Sequence, residues 1–295
     1  MTDSCTALPP TFRRILLASD FSSRSLVAAH YASVFAKLGG GCLWIAHAVA
    51  PTLSPDGVPI PVVDFAEQQM SQFIESEPLC DVPLQTMVGS GDVCDVLSDA
   101  IEEHGIDLLV IGTHGRSGLG KIMRGSTAEV ILRNAPCPVL TIGPHAKQDG
   151  AADSLLRIVF ATDASRIPQR ALACVTNLAN ENNAQVLFVH VAHSAPGAPV
   201  DYPDEVELDD DTYRDALCRL KKVVPDSSVF RREPELVVES GVPAEQIVHT
   251  AREGGVDLIV MPVNHGNSFA RNHAPWTTLP GVMARATCPV LTVAG

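Results

Sequence analysis

Residues 111–127 read IGTHGRSGLGKIMRGST and follow directly on an apolar run. Five glycines in this stretch let backbone N–H groups crowd around a guest, while Arg116, Lys121 and Arg124 supply positive charge. Ser126 and Thr127 stand where a helix should start, and a helix N-terminus adds further N–H donors and the positive end of its dipole. The chemistry on offer is the binding of a phosphate by backbone amides. A second chemical group lies far upstream, where the carboxylate of Asp20 closes the run ILLASD. A carboxylate at one end of a crevice and an anion-binding loop at the other would suit a nucleotide, with Asp20 on the base and the loop on the phosphates.

The loop alone admits several readings. A P-loop needs GxxxxGK followed by Ser or Thr; residues 115–121 supply GRSGLGK, but the next residue is Ile122, which cannot ligate Mg²⁺. The dinucleotide fingerprint GxGxxG fails on spacing. A structural loop whose glycines merely serve turns is the plain alternative, against which stand the clustered cations and the helix start. Nothing near the loop forms a Ser-His-Asp set, a paired acid and base or a metal-binding Asp cluster. His114 is its one titratable imidazole, better suited to packing or a phosphate contact than to general-base work.

The elements that must position these groups are legible from the hydrophobic pattern. Short apolar runs at 15–18, 43–49, 83–88, 106–111 and 139–142 read as strands buried on both faces. Helical patterns lie between them at 22–38, 64–77 and 92–104, the first with Val27, Tyr31, Val34 and Leu38 on one stripe. Asp92 is placed to cap the third helix, and a fourth begins near Ser126, which has capping-box spacing to Glu129. Strand and helix in alternation predict a doubly wound α/β fold with a parallel five-stranded sheet, flavodoxin-like. Ligands in such sheets bind beyond the strand carboxyl ends where the strand order reverses. With the first and fourth strands as neighbours, Asp20 and the glycine loop share that crevice.

The whole pattern occurs twice. RRILLASDFS (13–22) returns as LRIVFATDAS (156–165), and GIDLLVIG (105–112) returns as GVDLIVMP (255–262). LWIAHAV (43–49) returns as LFVHVA (187–192), and APCPVLTIG (135–143) returns as ATCPVLTVA (286–294). Each copy is therefore a whole domain, 1–147 and 154–295, joined by a small polar linker. A chain of 295 residues that is 46% hydrophobic can fill two cores. Its formal charge of −13 argues against a nucleic acid or an anionic membrane as partner. No signal-like segment or membrane-length apolar run appears, and eight scattered cysteines without a CxxC pair read as buried small hydrophobes of a reducing compartment, which points to the cytoplasm.

GTHGRSGLGKIMRGST resembles the nucleotide motif of the universal stress protein family, Gly-x2-Gly-x9-Gly-Ser/Thr, which it fits through Gly112, Gly115, Gly125 and Ser126. The resemblance extends along nearly the whole chain, since both copies carry the first-strand aspartate, Asp20 and Asp163, and the closing PVLT strand. It implies ATP, alone or with Mg²⁺, with adenine near Asp20 and Ala48 and phosphates on Gly112, Gly115, Gly125 and Ser126. Ala18, His114, Arg116 and Thr127 would line the same cleft. It also implies a stress-response regulator that binds nucleotide, the alternatives being a slow ATP hydrolase or a scaffold with structural ATP. Pairing of the closing strands would make the chain an intramolecular pseudo-dimer, with a homodimer and an unidentified protein partner as further levels of assembly.

The second copy departs from the motif. Pro262 falls at the position of Gly112, Trp276 at that of Gly125 and Thr277 at that of Ser126. Proline removes an N–H and tryptophan fills the space a phosphate needs, so this copy reads as a degenerate partner. It is rich in histidine instead: His190, His193, His249, His265 and His273. Because His47 matches His190, a structural role is favoured there over a zinc site. A different pocket using Asp163, Arg271 and His273 is the rival reading of this half.

Overall fold

Strands of Val, Leu and Ile that alternate with helices can bury both faces of a sheet, and the computed structural model shows that arrangement twice. It describes residues 12–50, 62–75, 79, 81–113, 127–147, 155–192, 209–263 and 274–295, with the backbone alone at 62, 127, 128 and 274–277. Two compact units divide the chain, one of residues 11–153 and one that holds residues 154–295.

The first unit runs β1 (Arg14–Ala18), α1 (Ser23–Gly39), β2 (Cys42–Val49), α2 (Val62–Ile74), β3 (Leu84–Ser90), α3 (Val93–His104), β4 (Leu108–Gly112), α4 (Thr127–Asn134) and β5 (Val139–Ile142). Its strands are ordered β3-β2-β1-β4-β5 and pair in parallel. The second unit runs β6 (Arg157–Ala161), α5 (Gln169–Asn182), β7 (Gln185–Ala192), α6 (Asp210–Val223), β8 (Glu235–Ser240), α7 (Pro243–Glu253), β9 (Leu258–Val263), α8 (Ala274–Arg285) and β10 (Val290–Ala294). Its order, β8-β7-β6-β9-β10, is the same. The fold is the doubly wound parallel α/β class that the sequence predicts, in tandem.

The central strands carry the cores. Ile15, Leu16, Leu17, Leu108, Leu109 and Val110 are fully buried in the first unit, and Ile158, Val159, Phe160, Leu258, Ile259 and Val260 in the second. The repeated Gly-x-Asp before the fourth strand of each unit has a structural cause. Asp107 accepts the N–H groups of Arg13 and Arg14, both at 3.0 Å, and Asp257 accepts those of Leu156 and Arg157 at 2.8 and 2.9 Å. Each aspartate thereby fixes the entry of its unit's first strand. Burial pushes the Asp107 carboxyl above its ordinary pKa, against the two amide hydrogen bonds, which act to lower it.

Local deviations from the sequence pattern have physical reasons. Burial on α1 is wider than the predicted single stripe: Ala28, Ala29, Ala32 and Phe35 are buried along with Val27, Tyr31 and Val34. The chain beyond β5 crosses this helix, where Arg24 donates to the carbonyl of Pro144 at 3.0 Å and Tyr31 to that of Lys147 at 2.9 Å. Leu38 is only half-buried, because the helix ends at Gly39 and the chain reverses through Gly40 at φ 58°. β3 continues to Ser90, past the predicted 88, because β2 still offers Ala48 and Val49 as ladder partners. Asp92 caps α3 as its position predicts, accepting the N–H of Cys94 at 2.8 Å. Glu129 accepts from Arg133 in α4, and its expected capping partner Ser126 lies outside the described residues.

Of the described cysteines Cys137, Cys174 and Cys288 are buried as expected, whereas Cys218 on α6 is exposed and Cys42 and Cys94 are only partly buried. Both of the latter lie at element ends, one opening β2 and the other in the first turn of α3. Among the described residues no helix is long and apolar enough to cross a membrane.

Candidate functional site

The carboxyl ends of β2, β1 and β4 lie side by side, and the crevice opens where β1 and β4 diverge. Their register closes at Ala18 opposite Ile111. One residue later the two chains turn to opposite neighbours. Ser19 donates its N–H to Ala46 of β2 at 2.9 Å, and Thr113 donates to Ile142 of β5 at 3.0 Å. This is the point at which strand order reverses, where open α/β sheets take ligands.

Four of the predicted residues meet at this rim. Ala18 ends β1, Asp20 follows two residues on, Ala48 is the penultimate residue of β2 and Gly112 ends β4; all four are half-buried. Thr127 opens α4. His114, Gly115, Arg116, Gly125 and Ser126 lie outside the described residues. Gly112 itself is informative. Its φ lies outside the left-handed region, and a Cβ built on it would meet nothing closer than the Arg24 carbonyl at 3.8 Å. Among the described residues neither a turn nor packing requires glycine here. A bare backbone at the mouth of a crevice is what close approach by a ligand requires.

Asp20 has local work as well. Its Oδ1 accepts the N–H of Ser22 at 3.0 Å and the hydroxyl of Ser25 at 2.6 Å, while its own N–H donates to Ser25 Oγ at 3.1 Å. Ser22 caps α1 by accepting from Ser25 N–H. The sequence pattern does not single out Ser25, although SDFSSRS carries the signal, since short hydroxyl side chains after an aspartate favour such turns. Nor does it single out Phe21, which adopts φ 60° and whose ring lies 4.2 Å from that of His47. The His47 ring nitrogen Nδ1 is bonded to the carbonyl of Ser19 at 2.7 Å, and His190 Nδ1 meets the carbonyl of Thr162 at 3.1 Å in the same way. The repeated histidine therefore ties the second strand of each unit to the end of the first.

The corresponding rim of the second unit is built differently. β6 and β9 diverge sooner by a residue, after Phe160 opposite Val260. Pro262 stands where Gly112 does, and Ala164 takes the left-handed backbone of Phe21 at φ 56°. Asp163 Oδ1 accepts both the N–H and the hydroxyl of Ser165, so this carboxylate closes its own turn. α8 spans Ala274–Arg285, and its counterpart α4 is described from Thr127 to Asn134. Trp276 and Thr277 lie within α8, and their counterparts Gly125 and Ser126 lie outside the described residues. A cavity of about 310 Å³ occupies this rim, with Asp163, His190, Met261 and Pro262 in its lining.

Comparison with known proteins gives one consistent result. The model of the universal stress protein family matches residues 11–143 and again residues 155–294. A universal stress protein of Mycolicibacterium smegmatis is 24% identical over 294 residues, spanning 95% of this chain and 96% of its own length. Universal stress protein A homolog 1 of Coxiella burnetii is 33% identical over 143 residues, 44% of this chain and 96% of that protein. Among solved structures, a universal stress protein from Archaeoglobus fulgidus covers 97% of this chain and 98% of its own with a TM-score of 0.67 at 20% identity.

Proposed function

The chain belongs to the universal stress protein family, and on that premise we propose that it is a nucleotide-binding regulatory protein that holds ATP, alone or with Mg²⁺, in its first unit. Adenine sits against Asp20 and Ala48, and the phosphates rest on the backbone of Gly112, Gly115 and Gly125 and on the hydroxyl of Ser126. Ala18, His114, Arg116 and Thr127 complete the cleft. The observation that carries this reading is Gly112. Among the described residues neither a backbone angle nor a neighbouring atom explains its lack of a side chain, and it lies at the switch point of the sheet. Asp20 supports it: a carboxylate held by Ser22 and Ser25 is pre-oriented, which lowers the entropy lost when it accepts from an adenine amino group or a ribose hydroxyl.

The same observation supplies a clean test. Gly112→Ala is expected to leave the fold intact, since the new Cβ makes only ordinary contacts with the described residues, and to crowd the surface on which a phosphate would rest. Titration calorimetry with ATP is expected to show affinity reduced by about tenfold or more, an amount of order 1.4 kcal/mol, with the melting temperature held. Unchanged affinity in a well-folded variant would remove Gly112 from the site.

A further inference from the structure

We infer that the second unit carries a ligand site of its own, remade to take a small organic acid with an apolar body, a monocarboxylate, in place of a nucleoside polyphosphate. The cavity at the carboxyl ends of β6, β7 and β9 measures about 310 Å³. That is at the small end of the range of about 300–1,000 Å³ in which proteins hold small molecules. Its walls are largely apolar, with Val189 and Val191 from β7, Ile247 from α7 and Met261 and Pro262 from β9. Two guanidinium groups join this apolar pocket: Arg166, in the turn after β6, and Arg219, on α6. Both are exposed, and neither forms an ion pair with any described carboxylate.

Two other polar side chains of the lining have partners within the unit. His190 Nδ1 is bonded to the Thr162 carbonyl, and Asp163 Oδ1 is held by Ser165. Among the described lining residues Asp163 is the single carboxylate, and the two arginines outnumber it by one positive charge. That balance fits a monoanion, and a planar guanidinium suits a carboxylate through paired N–H donors. A polyphosphate is disfavoured by the same rim, since Pro262 offers no N–H where the first unit presents Gly112. The inference concerns residues of the second unit alone and stands whether or not the first unit binds ATP.

The test uses the full chain and three acids, hexanoate, 3-phenylpropanoate and indole-3-acetate, each beside its uncharged alcohol, with binding followed by ligand-observed NMR and calorimetry. At least one acid is expected to bind saturably at one per chain, with its alcohol about tenfold weaker or more, and with saturating ATP failing to displace it. Arg219→Gln and Arg166→Gln, at exposed positions that leave the core intact, are each expected to weaken that acid severalfold. Ile247→Trp, which fills the cavity, should abolish its binding. The inference is overturned if no acid binds at millimolar concentration, if alcohol and acid bind alike, if ATP competes, or if both arginine variants retain full affinity.

Discussion

The two units share strand order, core strands and the aspartate that clamps the start of the first strand, yet their rims diverge at two of the three spaced glycines of the phosphate motif. Gly112 is answered by Pro262 and Gly125 by Trp276. Groups that serve the fold are retained: Asp107 and Asp257 bind equivalent backbone amides, and His47 and His190 bind equivalent carbonyls. The contrast separates two kinds of repetition. The clamp aspartates and the paired histidines, repeated in both units, hold the sheet together, and Gly112, replaced by Pro262, has no such task among the described residues.

The largest expected effect comes from copying the second rim into the first. Gly125→Trp should eliminate measurable ATP binding in calorimetry while circular dichroism of the chain is unchanged. Gly112→Pro should do the same, and the fold of the second unit shows that proline is accommodated at that place in the ladder, where Pro262 pairs with Val293. Retained ATP affinity in either variant would dissolve the contrast between the units.

A smaller loss is expected at Asp20. Asp20→Ala should weaken ATP binding by about 1–3 kcal/mol, since a charged acceptor is removed from the base or ribose. It should also lower the melting temperature, because Ser22 and Ser25 lose their acceptor. Asp163→Ala should lower stability in the same manner and leave ATP binding alone. Equal ATP affinity in the Asp20 variant would reduce that carboxylate to the turn-closing role its counterpart has.

The clamp aspartates give the control in which the units should behave alike. Asp107→Ala and Asp257→Ala each strip two backbone amides of their acceptor and should each cost about 1–2 kcal/mol in denaturant unfolding. Unequal costs would mean that the shared scaffold has diverged along with the rims. The mildest readout is chemical labelling. Burial pushes the Cys174 thiol up to about 12, whereas Cys218 is exposed. Iodoacetamide at neutral pH should therefore alkylate Cys218 and spare Cys174 in the folded chain, as peptide mass spectrometry would show.

Much of the fold is legible in the sequence because parallel strands buried on both faces appear as uninterrupted apolar runs, and the second copy repeats them in the same order. The capping of α3 by Asp92 is readable for the same local reason, since an aspartate before an amphipathic segment has few other uses. The width of burial on α1 is not readable, because it depends on residues 144–147 crossing the helix from far along the chain. Asp20 shows the mixed case at the site. Its place at the end of β1 follows from the pattern, but its hold on Ser25 depends on the left-handed turn at Phe21, a residue type that gives no warning of that conformation. The second rim is the hardest to read: loss of glycines tells what it has given up, and only the packing of α6, α7 and β9 reveals a cavity with two arginines in its lining.

One measurement bears most directly on the division between the units: the number of ATP molecules bound per intact chain, by calorimetry and by native mass spectrometry, before and after Gly112→Ala. One nucleotide per chain, with affinity sharply reduced in the variant, is the expected result. Two nucleotides per chain, or one whose affinity is indifferent to Gly112→Ala, would contradict it.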